Sequence, residues 1–177
     1  MNRTWIFLVG LGLSTAARAD DALRARVVSL LSGYEEVPPA AALLALGADV
    51  PSELYTVAAT PGVASHVRER ATLLLGAVPT ETNHAFLTAT LADDVAAAGL
   101  RRSAAYALAT GWPSTALTDL EPGLAATDIQ VRANSARALA GVPRTAAIDA
   151  RLRALEAADP NTMVRATVQN VLAADAR

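Results

Sequence analysis

Few side chains in this chain of 177 residues have the chemistry and spacing of a catalytic or metal site. Its two histidines, His66 and His84, fit neither an H-x-x-x-H nor an H-E-x-x-H spacing, and the chain has no cysteine. A zinc site needs three or four converging ligands. Glu35 and Glu36 are neighbouring carboxylates, but adjacent residues of a turn point apart, which does not suit paired acid–base chemistry. We therefore predict no enzyme activity, no metal site and no cofactor.

The most regular polar feature is an arginine that follows a valine or leucine four times along the chain, at Arg68, Arg101, Arg132 and Arg165. One interpretation is a basic stripe that binds an anionic partner. We favour a structural role, because this position borders the face of a helix that is predicted to be buried.

A second candidate is a surface for a partner protein. Arg102 and Tyr106 are four residues apart, so they share one face of a helix and can stack. With Arg137 they form the one cluster of aromatic and arginine side chains that we expect to be exposed, and both types are common interface anchors. The equivalent outward positions hold Glu69, Gln169 and Asn170. The simpler alternative is an ordinary solvated helix face.

The elements that would position these residues form a tandem repeat. Leucine recurs every 31 to 33 residues and closes a nine-residue segment each time, at Leu75, Leu108, Leu139 and Leu172. Counted from the first apolar residue of each segment, offsets 0, 4, 7 and 8 lie on one face of a helix, and offsets 2, 5 and 6 are predicted to point away from the core. A period near 30 predicts stacked copies of one small unit.

Each segment is preceded by another amphipathic stretch, so the unit is predicted to be a helix pair. These first helices are expected at 52–59, 83–91, 117–126 and 146–157. Val-Pro or Trp-Pro dipeptides separate the pairs, where proline ends one helix and can open the next. An earlier unit, with helices at 23–31 and 40–46, is interpreted as a divergent capping repeat. The alternative is a plain N-terminal helix with a linker.

We predict an all-α fold, a right-handed α-solenoid of about five antiparallel helix pairs. The repeats are placed at 21–50, 51–79, 80–113, 114–143 and 144–174.

The first 19 residues have the pattern of a secretory signal peptide: a short positive segment, an apolar run at 5–13 and an Ala-Arg-Ala cleavage site before Asp20. Nine apolar residues are too few to cross a membrane, which takes about 20, although retention as an anchor is the alternative. Domain 20–177 is therefore expected to be exported, periplasmic or extracellular, with no membrane span.

The charge balance argues against a nucleic-acid partner. The chain has 15 basic and 17 acidic residues and a net charge of −2. Loss of the leader, with Arg3 and Arg18, makes the mature chain more acidic still. A nucleic-acid binder should instead show clustered excess positive charge.

The helix-pair pattern resembles HEAT repeats, in particular the short bacterial PBS-lyase HEAT-like subtype. The likeness is carried by 128–133 (Asp-Ile-Gln-Val-Arg-Ala), by 159–166 (Asp-Pro-Asn-Thr-Met-Val-Arg-Ala) and by the Ala-Leu-Gly type endings at 74–76 and 138–141. It extends over roughly 21–174. Turns 61–66 and 93–99 depart from the pattern, and we expect those joints to be more mobile.

The resemblance implies that the repeated arginine bonds the turn acids of adjacent repeats, with Asp128 and Asp159 placed for this role. It also implies a binding scaffold, as for most chains with such repeats. We predict an exported, non-catalytic, monomeric scaffold that binds a protein partner through the concave face lined by the second helices. The alternatives are an enzyme-associated subunit or maturation factor, and a structural envelope component.

Overall fold

The computed structural model describes residues 12–33 and 39–174, with side chains described from Asp21 onward. Over these ranges the chain is all-helical and has no β-strand, which confirms the predicted all-α class. The helices are α1 (Gly12–Leu31), α2 (Ala40–Leu44), α3 (Val50–Ala59), α4 (Ser65–Leu74), α5 (Glu81–Ala92), α6 (Ala98–Gly111), α7 (Ala116–Leu124), α8 (Ile129–Ala138), α9 (Ala146–Ala158) and α10 (Thr162–Ala174). Short 3₁₀ turns at Leu75–Ala77 and Leu139–Gly141 extend α4 and α8.

Eight of these helices form successive pairs, in which α3 packs against α4, α5 against α6, α7 against α8 and α9 against α10. The four predicted first helices coincide with α3, α5, α7 and α9 to within about two residues at each end. The four predicted second helices coincide with α4, α6, α8 and α10. Pro122 lies in the last turn of α7, which ends two residues later at Leu124; proline cannot donate the backbone hydrogen bond that would continue the helix at this position.

The N-terminal unit is built differently from the pairs. Helix α1 packs on α3 and α4, and its Val27 and Leu31 are fully buried. Helix α2 has five residues and lies against α3. Helix α1 also continues through the predicted cleavage point before Asp20. The leader's apolar run lies mostly in residues 1–11, and Glu35 and Glu36 lie in 34–38; both stretches are outside the described residues.

The second helices form one closely packed layer, with α4 against α6, α6 against α8 and α8 against α10. Small residues permit the close approach. A Cβ added to Gly76 would lie 2.6 Å from the carbonyl oxygen of Ala107, so this position tolerates no side chain. The first helices are spaced more openly. Between α7 and α9 lies a groove of about 520 Å³, lined by residues such as Leu117 and Ile148.

The burial of the second helices corrects one prediction. Offset 5 was expected to face solvent, yet Thr72, Ala105 and Ala136 are buried there, and Ala133 at offset 2 is buried as well. A second helix inside the layer has neighbours on both sides, so its buried surface is wider than one stripe. Gln169 holds offset 5 in α10 and is exposed, because no described helix follows α10.

None of the helices in the described ranges has the length and hydropathy that a membrane crossing requires.

Candidate binding surface

A shallow cleft opens on the second-helix layer where α4, α6 and α8 meet. Its volume is about 190 Å³, below the roughly 300–1,000 Å³ of pockets that enclose small molecules. It therefore suits the anchoring of a partner's side chain better than the enclosure of a free metabolite. It is lined by Glu69, Leu73, Gly99, Arg102, Ser103, Tyr106 and Asn134.

Hydrogen bonds hold three side chains of this surface in place. The Tyr106 hydroxyl donates to Oδ1 of Asn134 over 3.2 Å, and Nη1 of Arg137 donates to the same oxygen over 3.1 Å. The Asn134 amide in turn donates to the carbonyl of Gln130 over 2.7 Å. A single acceptor on α8 thus joins Tyr106 of α6 to Arg137. The sequence pattern predicted that Tyr106 and Arg137 lie on one surface, but it did not identify Asn134 as the residue that links them.

Arg102 and Glu69 flank this network. Among the described residues no hydrogen bond or ion pair engages the half-buried Arg102 guanidinium. The Glu69 carboxylate lies against the first turn of α6, where a Cβ on Gly99 would be 2.1 Å from Oε1 of Glu69. A helix N-terminus carries partial positive charge, so Glu69 has a structural reason to be there.

The structure does not bring all six predicted partner residues together. Gln169 and Asn170 are exposed on α10, away from the cleft lining. Nε2 of Gln169 donates to Oε1 of Glu156 on α9 over 2.9 Å, so this side chain is directed toward the other helix of its own pair. We therefore restrict the candidate surface to Glu69, Leu73, Arg102, Tyr106, Asn134 and Arg137, and call it the second-helix cleft.

The repeated arginines bond main-chain carbonyls of their own pair, at the end of its first helix or in the turn that follows, which was not predicted. Nε of Arg68 donates to the Ala58 carbonyl over 3.1 Å, and Nε of Arg101 donates to the Leu91 carbonyl over 3.0 Å. Nη1 of Arg165 donates to the Asp159 carbonyl over 2.8 Å.

Arg132 makes the predicted bond to the next repeat. Its Nε and Nη2 donate to the two carboxylate oxygens of Asp159 over 2.8 and 3.2 Å, and its Nη1 donates to the carbonyls of Ala126 and Thr127. The Asp159 side chain is 3% exposed. The bond from Arg132 lowers the pKa of Asp159, and a bond from the Asn161 N–H lowers it further against the opposing effect of burial.

The other turn acid and the other arginines depart from the predicted scheme. Asp128 accepts from the Val131 N–H and so caps α8. Arg101 pairs with Asp94 of its own turn over 2.8 Å rather than with an adjacent repeat. The acid–arginine bond between repeats therefore occurs once in this series within the described residues, at Arg132 and Asp159.

One polar cluster was missed. Nε2 of His84 on α5 lies 2.9 Å from Oδ2 of Asp119 on α7, and the Thr115 hydroxyl donates to the same oxygen over 2.6 Å. The His84 ring also contacts Trp112, with centroids 4.9 Å apart. His84 and Asp119 are 35 positions apart, so no local spacing signals the pair. Within the described residues no three acidic or histidine side chains converge as a metal site would require, and we interpret the cluster as a link between first helices.

Comparison with known proteins found no relative of this chain. No family model matches it, and neither a curated protein nor a solved structure is significantly similar to it. Its function is therefore inferred from its own surface.

Proposed function

We propose that this protein is a non-catalytic binding scaffold of HEAT-like helix pairs that holds a protein partner in its second-helix cleft. The supporting observation is the shared Asn134 acceptor, which orders Tyr106 and Arg137 side by side across α6 and α8. Ordering side chains in advance reduces the entropy that binding would lose. Tyrosine and arginine are also the residue types that most often dominate interface energetics.

The packing pattern supports an α-solenoid as the frame of this scaffold, and the right hand is what the resemblance to HEAT repeats implies. Sequential contacts from α4 to α6, α8 and α10 are those expected when each repeat contacts its neighbours. The second helices are closely spaced and the first helices openly spaced. A layered array of this kind curves toward the second helices, so the cleft would lie on the concave face.

Export of the chain fits the same proposal. Cleavage before Asp20 would leave Val27 and Leu31 in place, the fully buried residues among the described side chains of α1. The mature chain would be periplasmic or extracellular and would rely on packing, because the sequence has no cysteine for a disulfide.

The groove between α7 and α9 favours a scaffold over an enzyme-associated subunit. A subunit that handles a substrate should offer a deep pocket with converging titratable groups. The groove between α7 and α9 is larger than the second-helix cleft, yet its lining is apolar or hydroxyl-bearing: Pro113, Ser114, Leu117, Thr118, Pro143, Thr145, Ala147 and Ile148.

The test is affinity capture with residues 20–177 as bait in an extract of the native cell envelope. We expect the unaltered chain to enrich a protein that Tyr106→Ala/Arg137→Ala fails to retain. The matched control is Arg26→Ala/Arg153→Ala, which removes two exposed arginines outside the second-helix layer. Equal recovery by both double variants would refute the proposal that this cleft holds the partner.

A further inference from the structure

Charge is divided unevenly between the two helix layers. The first helices α3, α5, α7 and α9 carry more acids than arginines. Their acids are Glu53, Glu81, Asp119, Glu121, Asp149 and Glu156, against Arg151 and Arg153. The second helices α4, α6, α8 and α10 carry one acid, Glu69, and seven arginines: Arg68, Arg70, Arg101, Arg102, Arg132, Arg137 and Arg165. A chain with a net charge of −2 thus concentrates positive charge in one layer.

Five of these seven arginines are engaged inside the structure. Four bond carbonyls at the end of the first helix or in the turn of their own pair, as described above. The fifth, Arg70, donates to the carbonyls of Leu31 and Gly33 at the end of α1. These bonds explain the conformation of each side chain without an external ligand.

The remaining two arginines are those of the second-helix cleft. Arg137 is exposed, and its bond within the described residues goes to the neutral amide oxygen of Asn134. Arg102 has no bond to any described residue. Leu73 lies beside them and is 44% exposed, as an apolar contact. Two guanidinium groups without a carboxylate, next to a tyrosine ring and an exposed leucine, make a surface that is complementary to an acidic and partly apolar ligand.

From this we infer that the partner presents an acidic peptide segment to the cleft. Its Asp or Glu side chains pair with Arg102 and Arg137, and a neighbouring apolar side chain rests on Leu73 and the Tyr106 ring. Arginine suits this task because its planar guanidinium bonds a carboxylate through two N–H groups. This inference rests on the proposed function and specifies the chemistry of the partner.

The number of available arginines favours a peptide over a nucleic acid. Nucleic-acid binding gains its affinity from neutralising many phosphates, typically about six to ten. Within the described residues the cleft has two arginines that bond neither a carboxylate nor a backbone carbonyl, and Glu69 lines it. Two arginines are enough to pair with a short run of carboxylates, provided that the peptide approaches from the side of Arg102 and Arg137, away from Glu69.

The experiment is a selection of phage-displayed random dodecapeptides on residues 20–177, followed by fluorescence anisotropy with the best peptide and a copy in which every Asp and Glu is replaced by its amide. We expect Asp and Glu to be enriched among the selected peptides. The amide copy should bind about twofold to thirtyfold more weakly, the range for losing two partly exposed charge pairs. Arg102→Glu/Arg137→Glu should lose the acidic preference.

The matched control is Arg26→Glu/Arg153→Glu, which changes the net charge equally outside the second-helix layer and should retain the preference. Arg137→Glu alone serves if the double variant has a lower melting temperature than the unaltered chain, because Arg137 is exposed.

Three results would overturn the inference: selected peptides without acidic enrichment, equal binding of the amide copy, or displacement of the peptide by a single-stranded DNA oligonucleotide at a lower concentration than by the peptide itself. The proposed function would stand in the first two cases if envelope capture still depended on Tyr106 and Arg137.

Discussion

The turns that join the helices of a pair have two constructions, one in the two N-terminal pairs and the other in the two C-terminal pairs. Turns 60–64 and 93–97 have five residues each, and no side chain caps the helix that follows. Turns 125–128 and 159–161 have four and three residues. There the side chains of Asp128 and Asn161 accept N–H groups from the first turn of α8 and α10.

The repeated arginine therefore bonds different carbonyls in the N-terminal and the C-terminal pairs. In the longer turns its Nε reaches a carbonyl in the last turn of the first helix, ten residues earlier in the chain. In the shorter turns Nη1 bonds two successive turn carbonyls, as Arg165 bonds those of Asp159 and Pro160. Turn length decides which carbonyls lie within reach of the guanidinium, so an identical sequence position does not imply an identical bond.

The largest difference between the halves should appear on substitution of Arg132. Arg132→Ala removes two bonds to Asp159 and two to turn carbonyls, and leaves a carboxylate that is 3% exposed without its cation. We expect the free energy of unfolding to fall by about 3 kcal/mol, as for a buried ion pair that loses one partner. Thermal unfolding followed by circular dichroism measures it. An unchanged melting temperature would show that the Arg132–Asp159 bond does not stabilise the fold.

Arg101→Ala is the matched substitution in the N-terminal half, and its effect should be smaller. The Arg101 side chain is 3% exposed, but its acidic partner Asp94 is 65% exposed and regains water when the pair is lost. The main loss is then the bond to the Leu91 carbonyl, about 1–2 kcal/mol. Urea unfolding of both variants gives the comparison. If Arg101→Ala lowered the free energy of unfolding more than Arg132→Ala, the arginine of the N-terminal half would be the more stabilising one, contrary to our expectation.

The pH dependence of stability should also reveal the contribution of the Arg132–Asp159 bond. The folded chain lowers the pKa of Asp159 from its ordinary value of 3.8. A carboxyl with a lowered folded pKa contributes stability that is fully present above its unfolded pKa and is lost as the pH falls through the folded pKa. We expect Asp159→Asn to flatten the decline in melting temperature below about pH 5. Parallel declines in the variant and the unaltered chain would contradict this role.

The smallest expected effect is a gain at Ser135. This residue is fully buried, its hydroxyl has no hydrogen-bond partner among the described residues, and the equivalent residues in the N-terminal pairs are Ala71 and Ala104. Removing a buried hydroxyl without a partner relieves its desolvation penalty. Ser135→Ala should therefore raise the melting temperature by about 2 °C. Ala104→Ser is the reciprocal variant and should lower it. A loss of stability in Ser135→Ala would indicate that the hydroxyl has a partner after all.

Local features of the sequence predicted the helices well. Apolar spacing located α3 to α10, because amphipathic periodicity and proline positions act within one or two helical turns. The Arg132–Asp159 bond was also within reach, since both residues belong to a pattern that repeats along the chain.

Contacts between distant helices were harder to predict. Asn134 joins Tyr106 to Arg137 only because α6 and α8 pack at one particular register, and His84 meets Asp119 for the same reason. Thr72, Ala105 and Ala136 are buried because each second helix has two neighbours, which no single helix reveals. Gln169 is exposed as predicted, because α10 is packed on one side, but its side chain donates to Glu156 and lies away from the cleft.

The most direct test of the proposed function compares two grooves of the molecule by photo-crosslinking. A photoreactive amino acid is placed at position 103, which lines the second-helix cleft beside Tyr106, or at position 118, an exposed position in the groove between α7 and α9, and the chain is irradiated in its native cells. We expect position 103 to yield a crosslinked partner protein and position 118 to yield none. A partner crosslinked from position 118 and not from position 103 would contradict the assignment of binding to the second-helix layer.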